Sequence, residues 1–272
     1  MTRSSISFKA KNPRKFSFLL CIALMVSGWQ IVILAQVNTE TLRKTDLQDG
    51  IHPSLSLNVG FQSGNTNFLS LKTGGRLDYR SGNYYSFLVI TYERGSQGNN
   101  VFVNKGFAHY RHILRLRRNL LVEAFLQKEF DDFILLNDRN LIGGGVRLPV
   151  VNATQDSSKI LQRQLFLGLG IMWENEELNE NQRIETNMVR STNYISLIWQ
   201  FEERVKFSLI AYYQVSTEQF SDYRILTESA LTFRLGKVVV FQTALRFRFD
   251  NEPPSNVKKH DLELTNGIQL IF

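Results

Sequence analysis

From Ser54 onward the chain alternates apolar and polar residues almost without interruption. Successive side chains of an extended strand point to opposite faces, so this period of two predicts strands with one apolar and one polar face. Twelve are expected, at 54–62, 68–79, 84–93, 101–113, 120–130, 139–148, 164–174, 189–201, 205–215, 223–235, 238–249 and 262–272. The first sets Leu55, Leu57, Val59 and Phe61 against Ser56, Asn58, Gly60 and Gln62. The last sets Leu262, Leu264, Ile268, Leu270 and Phe272 against Glu263, Thr265, Gly267 and Gln269. Residues 84–93 are apolar on both faces, which leaves the orientation of that strand open.

Each stretch holds roughly 9–13 residues, near the length of a tilted strand that crosses a membrane. An uncovered apolar edge strand recruits other chains, whereas a closed barrel has no edge. An even number of strands lets the last meet the first antiparallel. The expected fold is therefore an all-β transmembrane antiparallel β-barrel over 53–272, with a soluble barrel or sandwich as the competing fold. The connections after the second, eighth and tenth strands are short, and those after the fifth, seventh and eleventh are longer and polar. That asymmetry belongs to outer-membrane barrels, although the connection at 149–160 breaks it. Tyr79, Tyr84, Tyr92, Trp173, Trp199, Phe201, Tyr223, Phe247 and Phe249 stand near strand ends, where they suit two interfacial girdles.

The start of the chain has a different pattern. Arg3, Lys9, Lys11, Arg14 and Lys15 precede an apolar run from Phe16 to Leu34, followed by Ala35. A basic segment, an apolar core and a small residue describe a secretory signal peptide over 1–35. An uncleaved anchor helix is the alternative, with Gly28 and Gln30 interrupting the run. Residues 36–52 are polar and unpatterned and read as a short periplasmic lead-in. The five basic residues of 1–35 meet no acidic ones, so cleavage lowers the net charge from +7 to +2 and removes the case for a nucleic-acid partner. Cys21 is the single cysteine, so the mature chain forms no disulfide. The location expected is the outer membrane of a Gram-negative envelope, reached by export.

The polar face carries Lys72, Arg76, Asp78, Lys105, His109, Arg111, Glu123, Gln127, Glu129, Arg147, Arg190, Glu228, Arg234, Arg246, Arg248 and Glu263. Both signs are abundant, and a twelve-stranded barrel is narrow, so these groups either pair and plug the lumen or line a small polar pore. The densest group is Lys105, His109, Arg111, Glu123, Gln127 and Arg147. Within it His109, Arg111 and Glu123 place an imidazole and a carboxylate on neighbouring strands, the beginnings of a catalytic or ligand-binding cluster. A triad also needs a nucleophile, and the single His-x-Ser, His52-Pro53-Ser54, lies at the wrong end of the chain, with its histidine ahead of the first expected strand. Asp131, Asp132, Asp138, Glu174, Glu176, Glu177 and Glu180 read as solvated loop charges, without the spacing of a calcium loop. Gly143–Gly145 lies within a strand rather than in a phosphate-cradling loop, and the histidines lack zinc spacing. No catalytic residue, metal or cofactor is expected.

Several short segments share a resemblance. Gln62-Ser63-Gly64-Asn65-Thr66-Asn67, the run from Asn104 to Arg111 (NKGFAHYR), the run from Glu123 to Gln127 (EAFLQ) and the run from Leu141 to Arg147 (LIGGGVR) resemble the DUF481 family of salt-induced outer-membrane proteins. The resemblance implies an outer-membrane barrel and carries no activity with it. Members of that family often end on an aromatic residue, as Phe272 does here, which resembles the signal read by the barrel-assembly machinery. The expected partners are thus outer-membrane lipid and that machinery, through the C-terminal strand. The expected role is structural or that of a narrow passive pore, non-enzymatic; the alternative is a barrel-embedded enzyme or small-ligand binder using His109, Arg111 and Glu123.

Overall fold

All twelve alternating stretches are strands. A computed structural model of the chain describes residues 39–40, 42–44, 47–63, 67–152, 163–179, 183–236, 239–253 and 257–270. The expected signal peptide, Cys21 and Phe272 lie outside the described residues. The strands are β1 (Gly50–Gln62), β2 (Phe68–Ser81), β3 (Tyr84–Gln97), β4 (Asn100–Arg117), β5 (Leu120–Asp131), β6 (Leu136–Asn152), β7 (Arg163–Asn179), β8 (Arg183–Glu202), β9 (Val205–Ser216), β10 (Tyr223–Arg234), β11 (Val239–Asp250) and β12 (His260–Leu270). They form one sheet in sequence order, each strand pairing with the next, and every described pairing is antiparallel. Among the described residues no helix is long and apolar enough to cross a membrane, which says nothing of crossing by strands.

Three features depart from the sequence pattern. First, β7 and β8 extend through most of the expected loop at 175–187. Inward parity continues past Met172 into Glu174 and Glu176, which are buried rather than solvated because arginines of β6, β8 and β10 meet them. Second, β3 turns Tyr85, Phe87 and Val89 inward and leaves Tyr84 and Ile90 exposed. Its inward apolar patch packs with Ile113 and is covered by Leu42 and Leu47 of the segment before β1. Third, among the described residues β12 makes no ladder with β1. β1 and β12 are therefore the two edges of the described sheet, each paired on one side only. Leu55 and Phe61 consequently stay 91% and 77% exposed.

The sheet curls round its polar face, so that strands distant in order share partners. Arg224 of β10 reaches Glu174 and Glu176 of β7. The opposite face is apolar and exposed, with Leu126, Ile142, Leu169, Ile171, Ile195 and Leu245 among its residues. Aromatics gather at its two ends. At the long-connection end Tyr223 stacks on Phe249 at 5.6 Å and meets Tyr213 at 6.0 Å, while Tyr92 faces Phe130. At the short-turn end Trp199 meets Phe201 at 4.1 Å and Phe233 meets Phe241 at 6.3 Å.

Candidate functional site

The inner face carries two ionic layers. Toward the long connections lies the first, built on three arginines. Arg190 is fully buried and grips Asp222 with both terminal nitrogens, at 2.9 and 2.6 Å, while its Nε donates to Glu174 at 2.8 Å. Arg224 donates to Glu174 at 3.1 Å, to Glu176 at 3.3 Å and to Asp250 at 2.9 Å. Arg139 joins Glu176 at 2.7 Å to Glu129 at 2.5 Å. Planar guanidinium groups bridge carboxylates on different strands in a way a lysine ammonium does not, which suits them to tying a curled wall together.

The second layer lies nearer the short turns and is centred on Glu40, from the segment that precedes β1. Arg111 donates from Nη1 to Glu40 at 2.6 Å and from Nη2 to the Thr39 hydroxyl at 2.5 Å. Arg43 donates to Glu40 at 3.2 and 3.3 Å, and Arg147 also donates to it. Glu123 accepts from Arg111 at 3.1 Å and from Arg43. The Tyr194 hydroxyl accepts from Arg147 at 3.2 Å, and the Tyr212 hydroxyl lies 3.3 Å from that of Thr39. Burial alone raises the Glu40 carboxyl's pKa; the charges of Arg43, Arg147 and Arg111 more than offset this and hold it well below the usual carboxylate range. Lys44 continues the attachment, its Nζ donating to Asp78 at 2.9 Å and its backbone N–H to the Tyr85 hydroxyl at 3.1 Å. Asp78 is itself held by Arg76, at 2.7 and 2.6 Å.

The six residues of the expected lumen cluster do not form one group. Arg111 and Glu123 pair, and Arg147 joins them through Glu40. His109 faces Gln127 instead, because the β4–β5 register sets those two opposite each other while Glu123 stands opposite Ile113. The imidazole Nδ1 lies 3.1 Å from the Gln127 side-chain oxygen, and the ring sits among Phe87, Phe107 and Phe125. Lys105 lies farther along β4, its Nζ 3.6 Å from Glu93. A histidine–hydroxyl contact does occur on the outer face, where Ser86 lies 2.7 Å from His112 Nδ1. Between the two ionic layers is a cavity of ≈ 60 Å³, lined in part by Arg111, Phe125, Met172, Tyr194, Tyr212 and Arg224. Its wall is smoothed by glycine: Gly145 stands opposite Gly170, and a Cβ on Gly145 would meet the Leu169 carbonyl oxygen at 2.3 Å. Among the described residues no cluster of three or more His, Cys, Asp or Glu side chains is arranged to hold a metal.

Sequence reasoning did not find Thr39, Glu40, Arg43, Asp222 or Arg224. Only the last two leave a trace, as charged residues beside the expected start of β10. Glu40 sits in a segment without periodicity and finds partners 71 and 107 residues away.

Comparison with known proteins gives a family and a structural neighbour. The family model described as "Protein of unknown function, DUF481" matches residues 55–271. No curated protein matches the chain. A solved structure of the NanC porin, in a rhombohedral crystal form, is similar at 11% identity with a TM-score of 0.44, covering 80% of this chain and 100% of that one.

Proposed function

The chain belongs to the DUF481 family, and from that premise we propose that it is an outer-membrane β-barrel protein of the Gram-negative envelope, passive and non-enzymatic, with a lumen obstructed by paired charges. One observation carries this reading. Twelve antiparallel strands present apolar side chains outward and ion-paired side chains inward, the reverse of a soluble fold and the partition a lipid surround demands. Exposed outward residues such as Ile142, Ile171 and Ile195 are then lipid contacts, and the two aromatic groups mark the interfaces. In the membrane β1 and β12 close the seam, since unpaired backbone edges are too costly in hydrocarbon.

The two ionic layers favour a structural role over an open channel. Planar-bilayer recording of the refolded protein tests this. The expected record has no sustained open-channel current, and a steady current in the unmodified protein contradicts the obstruction.

A barrel-embedded enzyme is the second reading, and the Ser86–His112 contact is what favours it. Among the described residues the hydrogen-bond partner of the His112 ring is the Ser86 hydroxyl and no carboxylate, so the group that would orient the base is missing from that contact. A phospholipid-hydrolysis assay decides between the readings. No turnover is expected, and turnover lost in Ser86→Ala or His112→Ala overturns the passive role.

A further inference from the structure

Glu40 is bound as a ligand would be. Its carboxylate lies inside the sheet, held by Arg111 and Arg147 from the wall and by Arg43 from its own segment. Arg43 moves with Glu40, so the fixed part of this site is the wall. There Arg111 keeps Glu123 as partner, whereas Arg147 has no carboxylate partner but Glu40 among the described residues. Take the segment away, and two wall guanidinium groups face one wall carboxylate, leaving one positive charge uncompensated. Arg147 is pre-set for a planar anion, its guanidinium stacked 4.0 Å from the Phe166 ring centre and hydrogen-bonded to Tyr194. The buried Arg111 Nε–H has no acceptor among the described residues, so the site has unused donor capacity. The ≈ 60 Å³ cavity reaches Arg111, Tyr194 and Tyr212, which gives the site a free side.

We infer that Arg111, Arg147 and the flanking tyrosines form a carboxylate-binding site of the lumen, occupied by the chain's own Glu40 and open to small organic carboxylates when the Thr39–Lys44 segment withdraws. The inference rests on the barrel reading proposed above. Arg111 donates to one oxygen of the Glu40 carboxylate and Arg147 to the other, so the wall grips both oxygens of a planar carboxylate by geometry as well as charge. Because Glu40 is tethered, its effective concentration is high, and a free acid competes only when abundant or when the segment is displaced.

The test uses full-length mature protein refolded in detergent, with acetate as probe and acetamide and sodium chloride as controls. In Glu40→Ala, the temperature at which the compact form converts to the unfolded one should fall by several degrees. Acetate should restore about half of that loss or more by mass action. Acetamide, which has the same shape without the charge, should restore none, and Glu40→Ala/Arg147→Gln should not respond to acetate. A second measurement leaves the protein unaltered: acetate, but not acetamide or chloride at equal ionic strength, should speed tryptic cleavage after Arg43 and Lys44. The inference is overturned if acetamide rescues as well as acetate, or if rescue survives Arg147→Gln. It is also overturned if Glu40→Ala neither loses stability nor responds. Should Glu40→Ala not fold, the cleavage assay alone decides, and acetate-independent cleavage overturns the inference. A wild-type protein with no compact heat-modifiable form contradicts the barrel reading itself; a heat-modifiable protein indifferent to acetate contradicts only this site.

Discussion

Glu40 stands among three guanidinium groups with almost no solvent, and its charge state follows from that. Its folded pKa lies below the ordinary value of 4.5, so its stabilising contribution is complete above that value and is lost as pH falls through the depressed one. Arg43, Arg111 and Arg147 surround it, Glu123 is the other carboxylate facing them, and the Tyr194 and Tyr212 hydroxyls complete the surroundings. Proteolysis of the Thr39–Lys44 segment should therefore be constant from neutral pH down to the ordinary carboxylate range and rise only in stronger acid. A rise already near neutrality contradicts the attachment. Arg190 gives a second prediction at this scale. Removing it leaves the buried Asp222 without its cation and Glu174 with Arg224 alone, so Arg190→Ala should cost about 3–5 kcal/mol in a denaturant titration. Arg183, paired with Glu177 but 72% exposed, provides the contrast: Arg183→Ala should cost no more than about 1 kcal/mol.

At the scale of the element, β6 and β7 approach closely where Gly145 and Gly170 face each other. A methyl group at Gly145 would meet main-chain atoms, the Leu169 oxygen at 2.3 Å and the Gly170 Cα at 2.7 Å, and these cannot rotate away. Gly145→Ala should therefore cost about 1–3 kcal/mol by overpacking. Gly267 on β12 has nothing within 4 Å of a built Cβ, and Gly267→Ala should be neutral or stabilise by up to about 1 kcal/mol. Denaturant midpoints of the two variants check the difference in sign.

The strands themselves were legible because the apolar outer face and the polar inner face must alternate along each one. Their tips were not. Glu176 and Glu177 put charge on both parities, which erases alternation while backbone pairing continues. The orientation of β3 was hidden for the opposite reason, since its inward face is apolar to receive Leu42 and Leu47. Of the candidate cluster, the Arg111–Glu123 pair followed from parity, but the one-to-one partners depended on register. Register set His109 against Gln127, and parity alone does not fix it.

At the scale of the molecule, the described residues form a curled twelve-stranded wall, apolar outside, with two ionic layers inside and the segment that precedes β1 fastened to one of them. The seam between β1 and β12 belongs to this scale, because closure is a property of the sheet in its solvent rather than of either strand. Cys21 is the single cysteine and residues 36–272 lack any, so single cysteines placed on β1 and scanned along β12 report closure directly. Oxidation in lipid should cross-link at least one pair, and no cross-link along the whole of β12 contradicts a closed barrel. Gel migration of the mature protein refolded into lipid vesicles, unboiled beside boiled, tests the membrane barrel most directly. A closed barrel resists detergent until heated, so the unboiled sample should run as a faster, compact band that converts to the full-mass position on boiling. Identical migration of the two samples would contradict the barrel.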